Sequence, residues 1–196
     1  LRSSLSSSFQ KGSRRRAVHW FNVKNKHHRQ LSAQFSLNPW LLAQGSLTQQ
    51  LRAYAGGQFR VERVHESLQY PNLNEIKQLH IQPTQCVWVR EVLLFGNASE
   101  PWVHARSVIP LKTLRGSGRR LKLLKNRSLG SLLFERGGVQ IIPQTEQRKA
   151  RELAQLPEGW TRRTTYVWHK KYVLVQETFL PAFVASLSRE IEVQFN

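Results

Sequence analysis

The chain contains no aspartate. All twelve of its acids are glutamate, and none precedes Glu62. That removes the EF-hand loop, the Walker-B aspartate and the aspartic dyad, which need aspartates at fixed spacing. Methionine is absent too, and there is one cysteine, Cys86. No disulfide can form within the chain, a Cys-rich zinc module is excluded, and a reducing compartment, the cytoplasm, is the expected location. Cys86 opens an apolar run and reads as a small core residue. The seven histidines show no ligand spacing such as HExxH, so no metal is expected. GxSxG, P-loop and GxGxxG patterns are missing. No run of about 18 apolar residues occurs, so a membrane-spanning helix is not expected.

Positive charge is abundant. Thirty Lys/Arg give a formal net charge of +18. Such a balance suits nucleic acid, an anionic membrane surface or an anionic small substrate. Residues 1–36 read as a basic, Ser/Arg-rich tail without helical or strand period, expected to be disordered. A transit-type peptide, a nucleic-acid arm and a functionally neutral extension are all open readings of it. Residues 37–196 read as a single domain, long enough to bury a real core.

Within that body, Asn38-Pro39 opens a short helix, and Ser46 with Gln49 has capping-box spacing ahead of a second that Gly56-Gly57 ends. FRVERV (59–64), CVWVREVLLF (86–95) and WVHARSVIP (102–110) read as strands, the last two a hairpin around GNASEP. The basic stretch 115–127 reads as a solvated face or an amphipathic helix for RNA or lipid headgroups. Ser128 caps a short helix weakened by Gly130, which points to packing or close backbone approach there. Another helix is expected over 145–156. The chain then forms a second hairpin, RRTTYVW and YVLVQETFLP. Hairpins with helices in separate runs predict an α+β fold: a single antiparallel sheet with helices packed on one face.

Three charges sit where the alternation of strand side chains points inward: Arg90, Arg106 and Glu177. A buried charge is costly unless paired or met by a ligand. Two readings are open. Either an internal Arg–Glu pair stitches two strands, or a pocket offers arginine to a carboxylate and glutamate to a hydroxyl or proton.

The pieces WLLAQGSLTQQL, VREVLLFGNASEPWVHARSVIP, LKLLKNRSLGSLLF, GWTRRTTYVW and VLVQETFLP, in that order, resemble the chorismate lyase family. The resemblance runs from about Trp40 to Pro181. It implies cleavage of chorismate to 4-hydroxybenzoate and pyruvate, the first step of ubiquinone biosynthesis, by a lyase needing no cofactor. It implies that Arg90 holds the ring carboxylate, that Glu177 stands beside the ring 4-hydroxyl as the catalytic residue, and that Leu47 and Leu129 give backbone contacts. Arg106 matches a second arginine, suited to the enolpyruvyl carboxylate. Leu47 occupies a position that is often methionine in the family, and Thr161 one that is often glycine. The expected partner is the dianion chorismate, with no nucleic acid, peripheral membrane proximity at most, and a monomeric chain. The alternative is a non-catalytic small-anion effector-binding domain of the same fold.

Overall fold

The computed structural model describes residues 21–22, 36–134, 139–141, 151–168 and 170–194. Most of the expected tail therefore lies outside the described residues. Among the described residues, eight strands form one sheet: β1 (Phe21–Asn22), β2 (Arg60–Gln69), β3 (Val87–Phe95), β4 (Val103–Pro110), β5 (Val139–Ile141), β6 (Arg151–Leu156), β7 (Gly159–Trp168) and β8 (Lys171–Phe179). Their order is β1-β6-β7-β8-β4-β3-β2, with β5 also pairing β7. Every pairing is antiparallel. The α+β class with one antiparallel sheet is thus the observed architecture.

Two expectations change. The helix expected to span 145–156 ends in strand: Arg151–Leu156 pairs with β7, while 145–150 lies outside the described residues. Glu, Leu, Ala and Gln favour helix locally, but a free edge of β7 supplies the ladder, and tertiary pairing overrides weak propensity. The stretch 115–127 forms a 3-10 helix over Gly116–Leu123.

Five helices accompany the sheet among the described residues: α1 (Asn38–Leu42), α2 (Leu47–Tyr54), α3 (Leu73–Leu79), α4 (Leu129–Leu133) and α5 (Pro181–Gln194). Neither α3 nor α5 was expected. The start of α3 is fixed by a capping box in which Asn72 and Glu75 exchange side-chain and backbone hydrogen bonds. Leu79 and Ile76 then cover Val87, Val89, Val108 and Leu174 on the far face of the sheet.

The near face carries the larger core, in two halves. One joins α1, α2 and α5 to Val92, Ala105, Trp160 and Phe179. Trp40, Tyr54, Trp102 and Phe183 meet there edge-on or tilted, an arrangement aromatic quadrupoles favour. The other half joins the 3-10 segment and α4 to Ile109, Tyr166, Val173 and Val175. A belt of buried polar groups on the same face lies between these halves.

Candidate active site

Register decides which side chains of this belt share a face. Arg90 on β3 stands opposite Glu66 on β2 and Ser107 on β4. Glu177 on β8 stands opposite Ala105 on β4 and Arg162 on β7. Since Ser107 and Ala105 are two apart, all of these point to the near face, which carries every helix but α3; the expected restriction of helices to one face does not hold. Arg90 and Glu177 are therefore on one face but not paired: β4 and one pleat separate them, about 12 Å between Cα atoms from standard strand spacing and rise. The β4 side chains between them, Ala105 and Ser107, are small, whereas Val103 and Ile109 beyond them are larger.

Each charge is gripped from the side. The Arg90 Nε–H donates to Glu66 Oε1 at 2.8 Å, and its Nη2 donates to the Lys125 and Arg127 carbonyls at 2.6 and 2.7 Å. Arg63 donates to the other oxygen of Glu66 at 3.1 Å. Arg90 is 1% exposed. Burial lowers its pKa from the ordinary arginine value, against the charge and hydrogen bond of Glu66. Glu177 accepts from Arg162 Nε at 2.5 Å. Arg162 is fully buried, and its Nη1 donates to the Trp40 and Ala43 carbonyls at 2.6 and 3.1 Å. Its Nη2 is buried without a hydrogen-bond partner among the described residues. Buried guanidinium donors are rarely left so, and such a group marks a place for a ligand or water.

The roof comes from two helix starts. Leu47 and Leu129 are the first residues of α2 and α4, behind Ser46 and Ser128, whose hydroxyls accept from the Gln49 and Ser131 amides. The first amides of a helix have no partner within it. Leu47 packs with Val92, Ala105 and Phe179, and Leu129 with Val173 and Val175. The two starts approach closely, because a Cβ on Gly130 would stand 3.0 Å from Ser46 Oγ. The close approach expected at Gly130 is thus to the cap of the neighbouring helix.

Arg106 does not join this group. It is opposite Glu91 and Gln176, so it projects from the far face. There its Nη1 donates to Glu91 at 2.6 Å, its Nε to Glu75 at 3.3 Å and its Nη2 to Gln69 at 3.2 Å. Burial pushes the Glu91 carboxyl up, but hydrogen bonds and charge from His104 and Arg106 outweigh it and bring it from 4.5 to about 2. The pairing of Arg90 with Ser107 puts Arg106 one residue out of phase with Arg90, and no property of either sequence segment alone reveals that offset. Cys86 is half-buried at the rim of a cleft of ≈ 300 Å³ with Ile81, Pro110, Lys112 and Arg115. It is not the core residue expected.

Two members of the belt, Glu66 and Arg162, escaped the sequence reading. Arg162 had a signal: Trp160, Arg162, Thr164 and Tyr166 alternate with the second residue of each pair in GWTRRTTYV. Because both faces of β7 are buried around it, its alternation gave no polarity contrast.

Residues 18–188 match the sequence model of a family described as chorismate lyase. The chain is 39% identical over 164 residues to a probable chorismate pyruvate-lyase of Acinetobacter baumannii, covering 82% of this chain and 92% of that protein. It is 43% identical over 152 residues to a probable chorismate pyruvate-lyase of Psychrobacter cryohalolentis, covering 75% and 86%. Among solved structures, the effector domain of PhnF from Mycobacterium smegmatis overlaps 72% of this chain and 91% of that one at 14% identity, with a TM-score of 0.49. That likeness is too weak to bear on function.

Proposed function

The chain belongs to the chorismate lyase family, and on that premise we propose that it cleaves chorismate into 4-hydroxybenzoate and pyruvate, the entry reaction of ubiquinone biosynthesis. The C3–oxygen bond of the substrate breaks and the enolpyruvyl oxygen leaves with the electron pair. The C4 hydrogen is lost as a proton, and its bonding pair completes the aromatic ring. Protonation of the released enolpyruvate at its methylene carbon gives pyruvate. Aromatisation supplies the driving force, so the protein's tasks are to orient the ring, neutralise two carboxylates and manage one proton.

The placement of Arg90 and Glu177 carries the assignment of roles. They share one enclosed face without touching, across the short side chains of Ala105 and Ser107. In chorismate the ring carboxylate and the 4-hydroxyl lie at opposite ends of the ring. Arg90 receives the carboxylate, and Glu177 receives the hydroxyl and stands beside the C4 hydrogen. The enolpyruvyl ether is on C3, next to C4, so its carboxylate falls on the Glu177 side. Arg162 is the cation on that side, and its unpartnered Nη2 suits the role that Arg106 cannot reach. Leu47 and Leu129 close the roof and offer amides. The site draws on one chain, which fits a monomer acting on a free small dianion. Residues 37–196 act as one domain, with Phe21–Asn22 added to the edge of its sheet. No helix among the described residues is long and apolar enough to cross a membrane.

The test is incubation with chorismate while pyruvate and 4-hydroxybenzoate are followed together. Equal release of both is expected. Tight binding of 4-hydroxybenzoate with no release of pyruvate would make the chain an effector-binding module instead.

A further inference from the structure

Between β4 and α4 the chain leaves the sheet in two stretches of 3-10 helix, Leu111–Leu114 and Gly116–Leu123. Its side chains divide sharply. Leu114, Leu121 and Leu124 turn inward onto Leu129 and Val175. Seven Lys/Arg between 112 and 127 are all exposed, and no acid occurs from 101 to 134. Two large apolar side chains stand out among these cations, Leu111 at 39% and Leu123 at 73% exposed. The edge strand adds a third. Leu68, 56% exposed, is opposite Trp88, over whose ring the Lys122 ammonium sits at 4.9 Å.

A single exposed leucine needs no explanation. Aliphatic side chains projecting among the cations of an acid-free segment have a more specific meaning, since that combination matches a surface with anionic groups outside and hydrocarbon just beneath. We propose that this face docks on an anionic lipid bilayer. The cations meet headgroup phosphates, and Leu123 and Leu111 enter the acyl boundary. A nucleic acid would satisfy the cations but leave the leucines without a role. The inference is independent of the lyase reading. It does have a structural tie to the site, because the Lys125 and Arg127 carbonyls that hold Arg90 belong to the same segment. The docking face and the support of Arg90 are two sides of one backbone.

The experiment is co-sedimentation of the full chain with phosphatidylcholine vesicles, with and without phosphatidylglycerol, alongside a short RNA duplex in a parallel titration. Binding to the anionic vesicles alone is expected. Arg119→Glu with Lys122→Glu should lower the partition coefficient by about a hundredfold or more, since two reversals change four units of charge and each counts up to about fivefold. Leu123→Ser, which leaves the charge unchanged, should lower it by about tenfold. Melting curves of the variants confirm that they fold. Failure to bind anionic vesicles overturns the proposal. So does binding that neither variant alters, which assigns it to the basic residues of 1–30. Loss on charge reversal but not with Leu123→Ser, together with RNA binding, makes the face a polyanion site and overturns it as well.

Discussion

Glu177 is held by Arg162 and not by Arg90. The Arg162 Nε–H donates to the Glu177 carboxylate at 2.5 Å, while Arg90, across β4, has a carboxylate of its own in Glu66 at 2.8 Å. Two cross-strand pairs therefore stand side by side on one face, as the first of the two open readings of the inward charges has it, though with partners other than Arg90 and Glu177 for each other. Each charge is stitched to a neighbouring strand, and donors remain for a ligand. Those donors are the unpartnered Nη2 of Arg162 and the Nη1 of Arg90, which takes no part in the bonds to Glu66, Lys125 and Arg127. A site with its charges already fixed needs little reorganisation when a dianion enters.

Glu177→Gln keeps a hydrogen-bonding group opposite Arg162 but removes the base and the negative charge. Turnover should fall by about 10²–10⁴-fold, the usual span for loss of a proton-transfer group. Coupled pyruvate detection measures this, and a thermal melt close to that of the parent chain shows that the fold survives. If cleavage proceeds by transfer of the C4 hydrogen within the substrate, the loss will instead be small.

Arg162→Lys and Arg106→Lys separate the two arginines. Lysine loses the fork that serves Glu177 and two carbonyls at once. The Arg162 variant should raise KM for chorismate at least tenfold while affinity for 4-hydroxybenzoate, which lacks the second carboxylate, changes less. The Arg106 variant should leave KM unchanged. A KM effect at Arg106 of the same size would return the second carboxylate to that residue and reject the assignment made from its face.

Glu66→Gln tests a positioning residue. It removes the charge that opposes the burial of Arg90, while Lys125 and Arg127 still accept hydrogen bonds from the guanidinium. Binding of 4-hydroxybenzoate should weaken by about tenfold, with a smaller effect on kcat than Glu177→Gln produces. Truncation to Ala should also cost stability, about 3 kcal/mol, because it strands a buried charge. Chemical denaturation of both variants distinguishes the two effects.

The far face gives a pH prediction. The Glu91 carboxyl lies at about 2 in the fold, against 4.5 when unperturbed. A lowered folded-state pKa means that the unfolded chain binds more protons between these values. Its contribution is complete above pH 4.5 and is lost as pH falls from there through about 2. Stability of Glu91→Gln should therefore fall less steeply over that window than that of the parent chain, which urea denaturation at a series of pH values measures.

Much of this was legible in the residues. The hairpins were, because β3, β4 and β8 combine β-branched runs with turn clusters. Arg90 and Glu177 were, because a charge inside such a run is conspicuous. Register was not. Arg106 looked equivalent to Arg90 until the hairpin pairing put the two on opposite faces. Glu66 sits in a half-exposed edge strand, where a charge draws no notice. The strand at 151–156 carries helix-forming residues and is a strand because β7 needs a partner. Asn72 and Glu75 have capping-box spacing after Pro71, a signal of α3 that escaped the sequence reading.

Arg162 also ties α1 to the sheet, through the carbonyls of Trp40 and Ala43. Two residues beyond that latch comes Gly45, at φ +88°, a backbone angle that glycine adopts without strain. Lifting α1 would break two bonds from a buried guanidinium, whereas α2 follows a joint that glycine lets turn. Any turn of α2 about that joint would change the spacing between Ser46 and Gly130, where the two helix starts now approach closely.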